Sequence, residues 1–269
     1  MKKILFALEI AAVSYSLQSY AQVTKDDGQN LINATVWMQK SGEYKALAYQ
    51  AYQIGQTRLA DIITHDKTPK PKAVVLDIDE TVLDNSPLEA YEILHNKEFS
   101  NEDWMKWSDL ADAKPIPGAL GFLNFAKRNG VTIFYITNRD EKERVKTLKN
   151  LQKYNYPFAD NEHLILKSEK SSSKESRRQS VAEHYNIVLL FGDNLNDFSD
   201  IYYYNGEGKS ASEMVNEDPG IFGKKFIILP NAMYGNWSTE MNKELKKKYP
   251  QRKFNSKEVK IQNLETFKD

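Results

Sequence analysis

The sequence predicts an α/β fold: a Rossmann-like parallel sheet with helices on both faces. Three observations carry that expectation. Short apolar runs recur along the chain, at 73–76, 131–136, 163–166, 187–191 and 226–229, and runs of this length suit strands buried on both faces. A stretch of helical periodicity precedes each later run, and strands alternating with helices build a parallel sheet covered on both sides. Acidic and small polar residues then gather directly after several runs, at the carboxyl ends where such sheets bind ligands.

The N-terminal stretch 1–21 has the pattern of a secretory signal. Lys2 and Lys3 form a charged start, 4–17 an apolar core broken by Glu9, and Ser19-Tyr20-Ala21 a small-x-small cleavage site before Gln22. The apolar core is too short for a permanent membrane span, so a secreted or periplasmic protein without a stable anchor is expected. Residues 22–71 read as an N-terminal helical extension packed on the core. Within it, 33–65 is helical, with Trp37, Leu47, Tyr52, Leu59, Ile62 and Ile63 as buriable positions and Pro69 and Pro71 as the stop. A catalytic domain over 72–250 follows, interrupted by a small cap at about 85–117, and 251–269 form a tail. The lysine-rich stretch 242–260 reads as a solvated helix face, with weak binding to anionic surfaces left open.

Composition bounds the function. The 269 residues carry 37 basic and 37 acidic side chains, so nothing pulls the whole molecule toward nucleic acid polymers or anionic membranes. Hydrophobic residues at 41% describe a chain able to bury a core. Cysteine is absent, which rules out disulfides, thiolate metal sites, a cysteine nucleophile and a lipidated N-terminal cysteine.

The residues that follow the apolar runs carry the chemistry. After the first run come Asp77, Asp79, Glu80 and Thr81. Carboxylates crowded at the end of a buried strand repel one another and lose hydration, and a divalent cation would compensate both costs. An acidic surface loop is the plainer alternative. After the second run, Thr137 and Asn138 offer a hydroxyl and an amide to a phosphate oxygen, or serve as a helix cap. The run 187–191 ends in Gly192-Asp193 with Asp197 four residues on, so two like charges can meet on one helical turn. Ser172 and Glu175 have capping-box spacing, which starts a helix at Ser172 and puts Lys174 in its first turn; Lys170 competes for the same role.

Taken together, Asp77-x-Asp79-x-Thr81, Thr137-Asn138, a helix-leading lysine and Gly192-Asp193-x-x-x-Asp197 occur in the order of the haloacid dehalogenase superfamily. More narrowly, the stretches 75–85 and 189–198, with Tyr91 and the late aromatic segment 230–237, resemble the class C non-specific acid phosphatases. The resemblance runs from about residue 29 to 250. It implies a phosphomonoesterase in which Asp77 is the nucleophile and Asp79 the acid/base. It implies one Mg²⁺ at Asp77, Asp193 and the Asp79 backbone carbonyl with Asp197 alongside, and Thr137, Asn138 and Lys174 on the phosphoryl oxygens. Trp104 and Tyr234 would stack on a nucleobase or aryl leaving group, although Trp104 and Trp107 on one helical face also read as packing. A phosphotransferase of the same superfamily, or a non-catalytic phosphate- or metal-binding protein, are the rival readings. A homodimer stays open as the assembly.

Overall fold

The structure, a computed structural model, describes residues 31–167, 172–204 and 206–266. The signal-like stretch and Lys170 lie outside the described residues. Seven strands form among those described: β1 (Lys72–Leu76), β2 (Leu83–Asp84), β3 (Lys114–Pro115), β4 (Thr132–Asp140), β5 (Leu164–Lys167), β6 (Asn186–Gly192) and β7 (Phe226–Ile228). Five of them make a sheet of order β5-β4-β1-β6-β7 in which every neighbouring pair is parallel. The expected parallel α/β sheet is therefore present. Because β1 is central and buried on both faces, its apolar run has no polar alternation.

Two helices open the described chain, α1 (Ile32–Lys40) and α2 (Gly42–His65). Sequence periodicity suggests one continuous helix. The chain instead breaks at Ser41, whose extended backbone and side chain cap α2 by accepting from the Tyr44 amide at 3.0 Å. The buried stripe of α2 is Tyr44, Ala48, Ala51, Tyr52, Gly55 and Leu59, a three-to-four spacing. Leu47, expected inside, falls off this stripe and is 43% exposed. The helix lies against β6 so closely that a Cβ on Gly55 would sit 2.4 Å from the Phe191 ring. Tyr52 stacks on that ring at 5.4 Å and donates its hydroxyl proton to the Thr81 carbonyl at 2.6 Å. Burying side chains such as Tyr52 and Leu59 contributes about 1.5–3 kcal/mol each, so α2 shares the core of the sheet instead of resting on it.

Between β2 and β3 the chain leaves the sheet and forms α3 (Ser86–Leu94) and α4 (Asn101–Leu110). Those two short strands pair antiparallel and close the base of the excursion. α5 (Ala119–Arg128) then returns to the sheet, presenting Ala119, Phe122, Leu123 and Ala126 to it, with Lys127 and Arg128 at its negative end. α6 (Arg144–Lys153) and α7 (Glu175–His184) follow β4 and β5. α7 begins at Glu175, not at Ser172 as the capping-box spacing suggests. Lys174 is its N-cap residue, and the Glu175 amide donates to Ser173 Oγ at 3.1 Å. α8 (Ala211–Glu217) precedes β7, and α9 (Asn236–Lys248) and α10 (Ser256–Gln262) complete the described chain. None of the described helices is long and apolar enough to cross a membrane.

Candidate active site

Strand register brings the polar residues together. Leu76, the last residue of β1, is level with Tyr135 on one side and Phe191 on the other. The residues that follow these three therefore emerge at one edge of the sheet. The Asp77 amide donates to the Phe191 carbonyl at 3.0 Å, which carries the alignment one residue further. The chain then folds back on itself, with the amides of Val82 and Leu83 both donating to the Ile78 carbonyl at 2.9 Å. Glu80 takes a left-handed backbone, φ 55°, to make that turn, a strain worth about 1–3 kcal/mol for a residue with a side chain. Its buried carboxylate accepts from the Asn85 amide at 2.7 Å. Burial, and after it the charge of Asp79, raise the Glu80 carboxyl well above the usual range.

Asp77, Asp193 and Asp197 each offer a carboxylate oxygen within 4.8 Å of the others. Asp193 reaches this point because Gly192 lets the chain pass Asp197: a Cβ at 192 would lie 2.4 Å from the Asp197 Cβ and Oδ2. Asp197 is held by a reciprocal cap with Asn194, whose amide donates to Asp197 Oδ2 at 3.0 Å. Asp193 Oδ2 accepts from Asn231 and Asn194 at 2.9 and 3.0 Å, and its Oδ1 from Thr81 Oγ1 at 3.3 Å. Lys174 is the cation among them. Its buried ammonium contacts Asp77 Oδ1 and stands 2.7 Å from Asp197 Oδ1.

The electrostatics of this trio are lopsided. Burial pushes the Asp77 carboxyl well above its ordinary range, partly opposed by Lys174 and reinforced by Asp197, Asp193 and Asp79. Burial, then Asp197, push Asp193 up to about 7. Lys174 stays charged: burial pulls it down, but Asp197 and Asp77 outweigh that and hold it above its ordinary value. With all three carboxyls ionised, the single ammonium would leave two negative charges uncompensated, and that excess, added to burial, raises Asp77 and Asp193 until a cation takes the place of their protons. The donors are all carboxylate oxygens, with neither sulfur nor imidazole, a set that fits a hard divalent cation such as Mg²⁺, Ca²⁺ or Mn²⁺. The residues present therefore fit a metal.

Asp79 stands apart from the trio. Its carboxylate receives Arg139 through Nε and Nη2, the latter at 2.7 Å from Oδ1, and Asn85 Nδ2 at 2.8 Å. Thr137 is fully buried; its hydroxyl lies 3.5 Å from Asp79 Oδ2 and accepts from the Arg139 amide at 3.1 Å. Asn138 is exposed at the same edge, and its Oδ1 accepts from Arg177 at 2.6 Å. Lys174 thus faces the acids, while Thr137 and Asn138 stand at the neighbouring strand end.

A cleft of about 1170 Å³ opens over these residues, lined by Asp77, Asp79, Lys174 and Asp193, by Trp104 from α4 and by Tyr234 from the segment after β7. Trp104 and Tyr234 are both half-buried. Trp104 donates from Nε1 to Glu143 Oε1 at 2.8 Å, and Trp107 donates to Asn85 Oδ1 at 2.8 Å. Tyr234 also packs against the main core.

Sequence reasoning assigns no role to Arg139, Glu143, Asn85, Asn231 or Arg177. Arg139 lies three residues beyond the predicted run 131–136; only the longer observed strand, β4, buries it and so obliges it to find a buried counter-charge. Glu143 lies three residues after Asp140, which is capping-box spacing, and that box does form. Asn231 and Asn85 carry no such mark.

Comparison with known proteins bears on these residues. The family described as HAD superfamily, subfamily IIIB (acid phosphatase) matches residues 5–237. The class C acid phosphatase from Bacillus anthracis, of which one solved structure has tungstate bound, superposes with a TM-score of 0.81 at 38% identity, over 91% of this chain and 100% of that one. A class B acid phosphatase from Enterobacter sp. (strain 638) is 26% identical over 247 residues, 85% of this chain and 98% of its own length. Acid phosphatase 1 of Solanum lycopersicum is 28% identical over 130 residues, and there the match spans 50% of the relative's length. The identity is thus higher to the class C enzyme than to the class B one. With a parallel sheet whose strand ends gather acids on one edge, and matches that run through those strand ends, the chain belongs to the acid phosphatases of HAD subfamily IIIB.

Proposed function

We propose that this phosphatase hydrolyses phosphomonoesters, nucleoside 5′-monophosphates and aryl phosphates among them, through an aspartyl-phosphate on Asp77. The observation that carries the reading is the convergence of Asp77, Asp193 and Asp197 within 4.8 Å, with Lys174 as the cation between them. Such a site attracts a divalent cation and, through it, a phosphate. The tungstate bound by the Bacillus anthracis enzyme supports an oxyanion ligand, since tungstate has the shape of phosphate.

In this reading Asp77, Asp193 and the Asp79 carbonyl, with Asp197 alongside, would hold Mg²⁺, whose charge would let an anionic nucleophile approach an anionic ester. Asp77 attacks phosphorus and divides one difficult displacement into two. Asp79 gives its proton to the departing alcohol and later takes one from the attacking water. Lys174, Thr137 and Asn138 bind phosphoryl oxygens as charge shifts toward the leaving group. Tyr234, and the face of Trp104 turned away from Arg139, would accept a planar leaving group, which suits a broad substrate range. The signal pattern at 1–21 supports export to the periplasm or the medium.

A panel of phosphomonoesters assayed after EDTA treatment, and again with Mg²⁺ restored, tests this. Activity on several esters that vanishes with EDTA and returns with Mg²⁺ is expected. Unchanged turnover in EDTA contradicts the metal-dependent reading.

A further inference from the structure

Asp79 sits on a tight turn, where its short side chain has one close neutral donor, Asn85 Nδ2 at 2.8 Å. Arg139 fixes its rotation. The Arg139 Nε lies 3.1 Å from Asp79 Oδ1 and 3.2 Å from Oδ2, and its Nη2 lies 2.7 Å from Oδ1. Nη1 donates to Thr147 Oγ1 at 3.2 Å, so every guanidinium nitrogen has a partner within the protein. The side chain is buried, 3% exposed. Although Arg139 forms part of the cleft wall, its fork is engaged by Asp79 and Thr147, the geometry of a group that holds another group.

The arginine is itself seated by the cap. Its guanidinium carbon lies 5.2 Å over the Trp104 ring. Trp104 Nε1 and Ser108 Oγ, both on α4, donate to Glu143 Oε1 at 2.8 and 3.1 Å, and the other oxygen of Glu143 takes the Asp140 amide at 2.9 Å. Glu143 is buried. Cap helix, guanidinium and acid/base are therefore one connected unit. Asp79 Oδ1 already receives close donors from Arg139 and Asn85, whereas Oδ2 has only Arg139 Nε at 3.2 Å and Thr137 at 3.5 Å among the described residues. Oδ2 is therefore the less crowded of the two carboxylate oxygens.

From this we infer that Arg139 is the positioning residue for Asp79, holding Oδ2 toward the leaving-group oxygen, with the seat of Arg139 set by Trp104 and Glu143 of the cap contact. The inference rests on the proposed role of Asp79. In the first half-reaction the Asp77 oxygen bonds to phosphorus, the ester P–O bond breaks, and the departing oxygen takes the proton from Asp79. In the second, water attacks phosphorus, its proton passes to Asp79, and the Asp77 O–P bond breaks.

A leaving-group comparison separates positioning from mere structural support. An alkoxide needs the proton as it departs, whereas p-nitrophenolate leaves well without one. In Arg139→Met, kcat/KM, which reports steps up to formation of the phospho-enzyme, should fall at least about 100-fold for β-glycerophosphate but less than about 10-fold for p-nitrophenyl phosphate. Asp79→Asn should show the same pattern. Should Arg139→Met fail to fold, Arg139→Lys keeps the buried charge without the fork, and a smaller shift of the same sign is expected. Equal losses on both esters, or wild-type kinetics on both, overturn the inference. A wild-type protein inactive on both esters, or Asp77→Asn that still turns over, overturns the phosphatase mechanism instead.

Discussion

Replacing Lys174 by Met isolates the charge balance on which the site depends. Lys174 is 4% exposed, its ammonium in contact with Asp77 and 2.7 Å from Asp197. Methionine fills nearly the same volume but removes the ammonium, leaving the three carboxyl groups, Asp197 buried and Asp77 and Asp193 half-buried, without a cation. Breaking a buried pair by deleting one partner costs about 3–5 kcal/mol. At about 2–4 °C per kcal/mol for a domain of this size, the unfolding temperature should fall by about 6–20 °C in EDTA. A divalent cation meets a site one charge more negative in the variant, so Mg²⁺ should raise the variant's unfolding temperature by more than it raises the wild type's. Activity should remain depressed by about 100- to 1000-fold even with Mg²⁺ saturating, because a donor to the phosphoryl oxygens is gone. Differential scanning fluorimetry across a Mg²⁺ titration reads both thermal effects. Unfolding of Lys174→Met within about 2 °C of wild type in EDTA would falsify the account of a charge-deficient acidic centre.

Two further substitutions probe the same frame from other sides. Gly192→Ala places a Cβ 2.4 Å from Asp197, an overpacking worth about 1–3 kcal/mol; displacing Asp197 should raise the Mg²⁺ concentration for half-maximal activity, and an unchanged titration contradicts its place at the metal. Glu89 on α3 is buried, and burial, then Glu92, push its carboxyl from 4.5 to about 7, opposed by Lys260. Because the folded value lies above the unfolded one, its contribution to stability is full below pH 4.5 and is lost as pH rises through about 7. Glu89→Gln should remove about 3 kcal/mol of that pH dependence, at 1.36 kcal/mol per pH unit, in urea unfolding at pH 5 and pH 8. Equal pH slopes for the two proteins contradict it.

The sheet and its functional edge are legible in the sequence because a buried strand tolerates acids at its end only where a cation or solvent receives them. Strand order is not needed for that, since any parallel arrangement with β1 central brings Asp77 and Asp193 to the same edge. What one dimension hides is the far partner. Nothing local to Arg139 says that it meets a carboxylate 60 residues earlier. Sequence spacing misplaces the start of α7 because Ser172 and Glu175 match a capping box, while in the fold Ser173 takes that amide and Lys174 leaves the helical face for the acids. Leu47 fits a helical stripe as well as Ala48 does; the small residue is inside because α2 approaches β6 closely enough to exclude a Cβ at Gly55. Tertiary distance decides each case, and propensity does not.

The most direct test of the central claim is to catch the phosphoryl group on the protein. Wild-type enzyme turning over a radiolabelled phosphomonoester with Mg²⁺ is quenched in acid, digested and mapped. The label should sit on Asp77 and be absent in Asp77→Asn. Label on another residue, or rapid turnover that never deposits phosphate on the chain, contradicts an aspartyl-phosphate at the end of β1.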